Sequence, residues 1–306
     1  MSSIPVSDTS TSRHAPIGLW GRIRIWKMIF STAFSERLVY RGDFALGTLM
    51  RFLPIITQIF LWWAIFDSIA HSGVVSAGDA TGNPDEPVTI GGYGFREMVA
   101  YYLLTMIARA FSSMPGLASG IALQIREGEI KRYMIQPVDL IGFLLLNRIA
   151  HKCAYYAVAI APFALVFYLC RDYFVDGFPP PHLFIAFVAS LVMGFLIGFF
   201  LEAAIGMIGF WFLEVSSLLF LYMLFSFFLS GHMFPLTLLP DWIEPFVNFL
   251  PLKYLAYFPA AVFLGKIPED ELWMEMGIQA AWLVFFIVLC RFAYSRGVAR
   301  YSGYGG

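Results

Sequence analysis

Apolar residues along the chain gather into six stretches about as long as the roughly 20 residues needed to cross a hydrocarbon core. They predict spans over about 45–69, 97–120, 143–170, 183–206, 211–232 and 274–294. In the first, Pro54 predicts a kink and the Trp62–Trp63 pair a set of interface anchors. Ahead of it, over 18–44, Leu19, Ile23, Trp26, Phe30 and Ala33 recur at helical spacing while Arg22, Arg24, Lys27 and Ser31 take other positions. That pattern predicts an amphipathic helix lying in the headgroup layer, with a helix packed on another domain as the alternative. Between 233 and 268 the sequence stays apolar, but Pro235, Pro240, Pro245, Pro251, Pro259 and Pro268 cut it into pieces too short to cross. Two short helices, about 241–250 and 252–264, are expected there as a re-entrant pair dipping into the outer leaflet. The Ser/Thr-rich residues 1–17 read as a disordered cytoplasmic tail, 70–95 as a polar outer loop and 295–306 as a second cytoplasmic tail. The expected fold is therefore an all-α polytopic membrane protein, with its six-span domain over 45–294.

Composition agrees with the pattern. Of 306 residues, 59% are hydrophobic and 13% charged, where a soluble domain has about half and about a quarter. A soluble enzyme and a disordered chain are both excluded. The net charge of −1 gives no basic field for nucleic acid, so what matters is where the cations sit. Fourteen Lys and Arg fall on one side: Arg13, Arg22, Arg24, Lys27, Arg37 and Arg41, then Arg126, Lys131, Arg132, Arg148 and Lys152, then Arg291, Arg296 and Arg300. The other side has four, Arg96, Arg171, Lys253 and Lys266. The positive-inside rule puts both termini in the cytoplasm. Cys153, Cys170 and Cys290 lie in or beside apolar segments and read as small core residues. No N-x-[ST] acceptor occurs, which accords with a bacterial inner membrane.

Catalytic chemistry finds little support. The Gly265–Lys266 pair is followed by Ile267, so no P-loop is formed, and the five histidines show no paired metal spacing. Ser230–Gly231–His232 is the nearest approach to an intramembrane protease motif and lacks the rest of one. The most informative polar segment is Ile125 to Asp139, which alternates Arg126, Glu127, Glu129, Lys131 and Arg132 before stopping at Pro137. It reads either as a solvated turn or as a docking helix for a cytoplasmic partner, with Ile130, Tyr133 and Met134 as apolar anchors. Within the spans, Arg51 is near enough to one end to snorkel. Arg109 lies about twelve residues, roughly 18 Å, into the second span, where a charge costs several kcal/mol unless it faces a cavity or a partner. Glu202 and Glu214 are expected near the cytoplasmic surface, at a different depth. Gly116-x-x-x-Gly120 and Gly194-x-x-x-Gly198 are expected to pack helices within the chain rather than between subunits.

Taken together these pieces resemble ABC exporter permeases of the second type: a basic amphipathic helix before the first span, a charged loop after the second, and a proline-broken pair before the last. The loop fits a Gly-Glu-x-x-x-x-(Leu/Met)-x-x-Pro pattern at Gly128, Glu129, Met134 and Pro137. The hairpin runs through Pro240, Trp242, Pro251, Tyr254 and Pro259. The resemblance implies a half-transporter that works with a separate cytoplasmic P-loop ATPase, which would hold ATP and Mg, and with a second permease that is a copy or a relative. Arg126, Glu127, Gly128, Glu129, Lys131, Arg132 and Pro137 would form the ATPase dock and Arg109 a pathway residue. No cofactor, metal or catalytic residue is expected in this chain. The substrate would be amphipathic or lipid-linked. An ATP-independent secondary transporter or channel is the alternative, and a membrane-embedded enzyme a third reading. In intact cells, epitope tags at both termini are expected to resist externally added protease until the membrane is permeabilised; cleavage of either without permeabilisation would overturn the orientation.

Overall fold

The computed structural model describes residues 19–39, 41–72, 88–134, 138–175, 177–212 and 214–301. The tails, residues 73–87 of the outer loop, Pro137 and the side chains of Arg51 and Met134 lie outside them. Among the described residues the chain is helical, with one isolated bridge between Ile90 and Tyr93. Four helices are long and apolar enough to cross a membrane by length and composition.

Helix α1 (Leu19–Val39) gives way to α2 (Arg41–Ser72), which starts ahead of the expected span at 45. The second expected span, 97–120, is not one helix. It is α3 (Phe95–Ser112) and α4 (Leu117–Arg126), separated by a break. Pro115 has no N–H and turns Met114 away from helical geometry, and Gly116 takes φ of 71°, a left-handed conformation that costs glycine nothing. The short α5 (Lys131–Met134) precedes α6 (Leu140–Leu169), capped at its start by the Asp139 carboxylate accepting from the Gly142 N–H at 2.7 Å. Arg291 grips the same carboxylate with both of its terminal nitrogens, at 2.5 and 2.9 Å. Next come α7 (Pro181–Met207), α8 (Ser216–Leu229), the short α9 (Glu244–Phe249) and α10 (Tyr257–Phe263), and the long α11 (Glu269–Arg300). At fourteen residues α8 is shorter than the expected 211–232 span.

The hub is α7, which packs against α3, α4, α10 and α11. Its small residues permit this. A Cβ at Gly194 would stand 2.9 Å from the Tyr254 carbonyl oxygen, and one at Gly198 would collide with the carbonyl of Ser112. The Gly194–Gly198 face is thus spent on packing within the chain, whereas Gly116 and Gly120 look onto open space. Helix α1 lies along α6, with Trp26 close against Gly142 and Ala33 buried.

The segment from Pro235 to Gly265 folds back along α3. Lys266 bonds Glu97 at 2.7 Å near the start of α3, and the Ser112 hydroxyl donates to the Leu255 carbonyl at 2.9 Å at its end. Those two anchors are about 22 Å apart at helical rise. Pro251, Tyr254 and Pro259 are buried in this fold-back, while Pro240 and Trp242 stand exposed at its edge. Lys253 and Tyr254 both bond Glu275 of α11, at 2.9 and 2.7 Å. Two expectations need correction. Trp62 is not an interface anchor: it is buried and donates to Tyr102 at 2.9 Å, because α2 packs on α3 there. Cys153 is exposed rather than a core residue.

Gly198→Ala is expected to destabilise the chain by about 1–3 kcal/mol, since the new methyl meets backbone that cannot swing aside. Gly120→Ala, with room around it, should be neutral or slightly stabilising. Thermal unfolding in detergent distinguishes them, and equal midpoints would contradict the packing account.

Candidate functional site

A partly open cavity of about 610 Å³ lies between α2, α3, α8 and the α3–α4 break. Helix periodicity explains which side chains reach it. Along α3, Tyr102, Thr105, Met106 and Arg109 follow one another at three- and four-residue spacing, as do Leu219, Tyr222 and Ser226 along α8. From α2 come Pro54, Ile55 and Gln58. Arg109 does face this cavity, and its guanidinium donates to the Ser226 hydroxyl at 3.2 Å.

Glu202 of α7 lines the same cavity, contrary to the expectation that it sits at another depth. The reason is the break: α3 ends beside α7, so Arg109 and Glu202 are brought within electrostatic reach. Arg148 and Lys152 act on that carboxylate as well. The third expected span, 143–170, already holds these two cations near its start, and the structure places them on α6. Four residues apart, they share one helix face, and that face meets the break.

There the backbone groups freed by Pro115 and Gly116 find partners. The Lys152 ammonium donates to the carbonyls of Ala110 at 2.5 Å and Ser113 at 2.7 Å. These lie at the C-terminal end of α3, where a cation is favoured by the helix dipole. Arg148 donates to the Pro115 carbonyl at 3.0 Å. The Ser113 N–H closes on Arg109 at 2.9 Å, the Leu117 N–H on Met114 at 3.1 Å, and the Met114 N–H is donated to Glu202. Three charged side chains thus replace the hydrogen bonds that a continuous helix would have made for itself.

From the break, α4 leads out to the charged segment. Arg126, Glu127, Glu129, Lys131 and Arg132 are exposed there, and Gly128 takes φ of 80° to turn the chain. Arg132 approaches Glu129 at 3.9 Å and donates to the Tyr133 hydroxyl at 2.8 Å, a bond that holds its guanidinium above the usual range and keeps it charged. Two of the three expected anchors are used internally. Ile130 is buried in this chain's own core and Tyr133 packs on Phe143, with ring centres 5.4 Å apart. The reason is that the turn at Gly128 folds the segment back under α4, where the Ile130 N–H reaches the Gln124 carbonyl at 3.1 Å. The Tyr301 hydroxyl also ties the end of α11 to the Ile125 carbonyl, at 3.1 Å.

The sequence pattern described as ABC-2 family transporter protein matches residues 86–305, which include α3 through α11 and so the break and the charged segment. No curated protein matches the chain.

Lys152→Met should leave two part-buried carbonyls without this donor, at a total cost of about 1–3 kcal/mol. Lys152→Arg, which keeps the donors, is expected to recover most of it. A thermal melt of both variants is the check, and a Met variant as stable as the parent would show the carbonyls to be satisfied by other means.

Proposed function

Since the chain belongs to the ABC-2 family of transporter proteins, we propose that it is the permease subunit of an ATP-binding-cassette exporter, moving an amphipathic or lipid-linked substrate outward. The observation that carries this reading is the continuity between the exposed charged segment and the cavity. The segment rides on α4, and α4 meets α3 at the break beside Arg109 and Glu202.

In this reading the chain crosses the membrane six times, with α3 and α4 as one interrupted crossing and the fold-back of Pro235–Gly265 as the re-entrant pair entering from outside. Both termini are cytoplasmic and the membrane is the bacterial inner membrane. ATP and Mg are bound by a separate P-loop ATPase, which docks on Arg126, Glu127, Glu129, Lys131 and Arg132. A second permease, a copy or a relative, completes the pathway. Closure of the ATPase pushes the charged segment, α4 pivots at Gly116, and the cavity wall formed by α3 and α8 changes shape. The α1–α6 contact gives a second route, since α6 holds the break through Arg148 and Lys152.

One observation favours the alternative of an ATP-independent secondary transporter. Broken helices with an ionisable group beside the break are a feature of that class, and α3–α4 with Glu202 fits the description. The two readings differ in what they need. Isolation of the tagged chain from native membranes is expected to bring a P-loop ATPase with it. Charge reversal of the exposed pair, Glu129→Lys with Arg132→Glu, should reduce that recovery at least about tenfold, as loss of complementary charge at a small dock does, while the folded chain persists. Undiminished recovery would refute the dock. Transport that proceeds without any ATPase would establish the alternative.

A further inference from the structure

The cavity has two ends. The break at Pro115 and Gly116 lies at one, and Tyr102, Phe227 and His232 lie at the other, toward the start of α3 and the end of α8. Just past that second end the chain leaves α8 through Ser230, Gly231, His232 and Met233 and enters the fold-back. Three carbonyls of this turn are held from other elements. The Tyr101 hydroxyl donates to the Gly231 carbonyl, and the Tyr102 hydroxyl to the Met233 carbonyl at 2.6 Å. The Tyr257 N–H donates to the Ser230 carbonyl at 2.9 Å. Tyr102 is itself positioned from α2, since the Trp62 indole donates to its hydroxyl at 2.9 Å. Gly231 takes φ of 76°, and a Cβ there would stand 2.5 Å from the Tyr257 Cβ and 2.9 Å from the Tyr101 hydroxyl. The turn therefore closes tightly on α3 and α10. The helix that leads into it is loosely attached: of the fourteen residues of α8 only Ser226 is buried. Helix α8 packs on α4 and on the Pro251–Leu255 stretch of the fold-back. A tilt of α4 is thus passed to α8, and the tyrosine bonds at its far end resist it.

We propose that Tyr101 and Tyr102 latch the outer end of the pathway. While their hydroxyls hold the Gly231 and Met233 carbonyls, the turn shuts the cavity from the outer surface, and release of both bonds opens the exit. This rests on the permease reading, which makes this end of the cavity the outer one, and adds the residues that control exit. The chemistry suits a bond that must break and re-form. A neutral hydroxyl-to-carbonyl bond contributes modestly, far less than a buried ion pair costs to separate, and glycine at 231 reaches a second backbone conformation at little steric cost. The rings need not move for the hydroxyls to let go. That of Tyr101 is packed with its centre 5.5 Å from that of Tyr93 and 6.3 Å from that of Tyr257. Charged side chains hold the cavity's inner end at the break, and neutral hydroxyls hold its outer end at the turn.

The test uses the full chain in intact cells whose terminal tags resist external protease, with Cys153, Cys170 and Cys290 replaced by alanine. Thr105 lines the cavity one turn from Tyr102 and is fully buried, so Thr105→Cys reports entry from outside. A charged, membrane-impermeant maleimide added externally is expected to label it slowly in the parent. Tyr101→Phe with Tyr102→Phe keeps both rings and removes both bonds, and should label at least about tenfold faster, as the loss of two neutral hydrogen bonds allows. Each single variant should fall between. Tyr257→Phe keeps the N–H that holds Ser230 and should label like the parent, whereas a merely structural role, in which any lost hydroxyl loosens the aromatic cluster, would speed it too. Size-exclusion profiles show whether each variant is folded, and if the double variant is not, the single variants decide. Equal labelling of the parent and the folded Phe variants, or Tyr257→Phe labelling as fast as they do, would overturn the proposal. Co-purification separates the two levels. Equal labelling in a chain that brings its ATPase defeats the latch alone, and faster labelling in a chain that brings none defeats the permease reading alone.

Discussion

The structure depends on how one interrupted helix, proposed above as a single membrane crossing, is held together. In hydrocarbon every backbone N–H and C=O must be satisfied by protein, at several kcal/mol for each failure. Pro115 and Gly116 break α3 from α4 and free several such groups. Lys152, Arg148 and Glu202 take up those groups from two neighbouring helices. Because the replacements are long charged side chains rather than backbone, the joint can be both satisfied and adjustable. Of the three, Glu202 also lines the nearby cavity, so support of the joint and the wall of the cavity share a residue.

Around that joint the rest of the chain is arranged as rigid supports. Glycines at 194 and 198 let α7 approach the fold-back and the end of α3, and the buried Lys253–Glu275–Tyr254 group fixes the fold-back to α11. A buried ion pair of this kind adds little net stability against its desolvation cost, but removing one partner is expensive. It therefore specifies position more than it adds strength. At the other end, Asp139 both caps α6 and is held by Arg291, which sets the angle at which α6 presents Arg148 and Lys152 to the break.

Much of this was legible in the sequence. Apolar length alone marked α2, α6, α7 and α11, and prolines marked the fold-back. The break was also written there, as Met114–Pro115–Gly116, a helix stop followed by a left-handed glycine. It was passed over because the apolar run continues on both sides and hydropathy averages across a turn of this size. Arg109 stood out through its depth, whereas Glu202 did not: judged by distance along α7 it belongs near an end, and only the packing of α3 against α7 brings it to the cavity. Lys152 and Arg148 fall inside the expected 143–170 span, but a count of charges by side says nothing of the carbonyls they reach. Ile130 shows the converse, where an apolar residue in a charged segment read as an anchor for a partner is consumed by the chain's own core.

The central claim is that the α3–α4 break is the hinge through which a partner's ATP cycle reaches the cavity. Spin labels on two exposed positions, Leu123 of α4 and Val192 of α7, report on it directly in the complex with the ATPase. The account predicts a shift of about 5 Å in their distance distribution on ATP binding, of the size seen when one helix moves a turn past another, with a label pair on α6 and α11 unchanged. Identical distributions with and without ATP would contradict it.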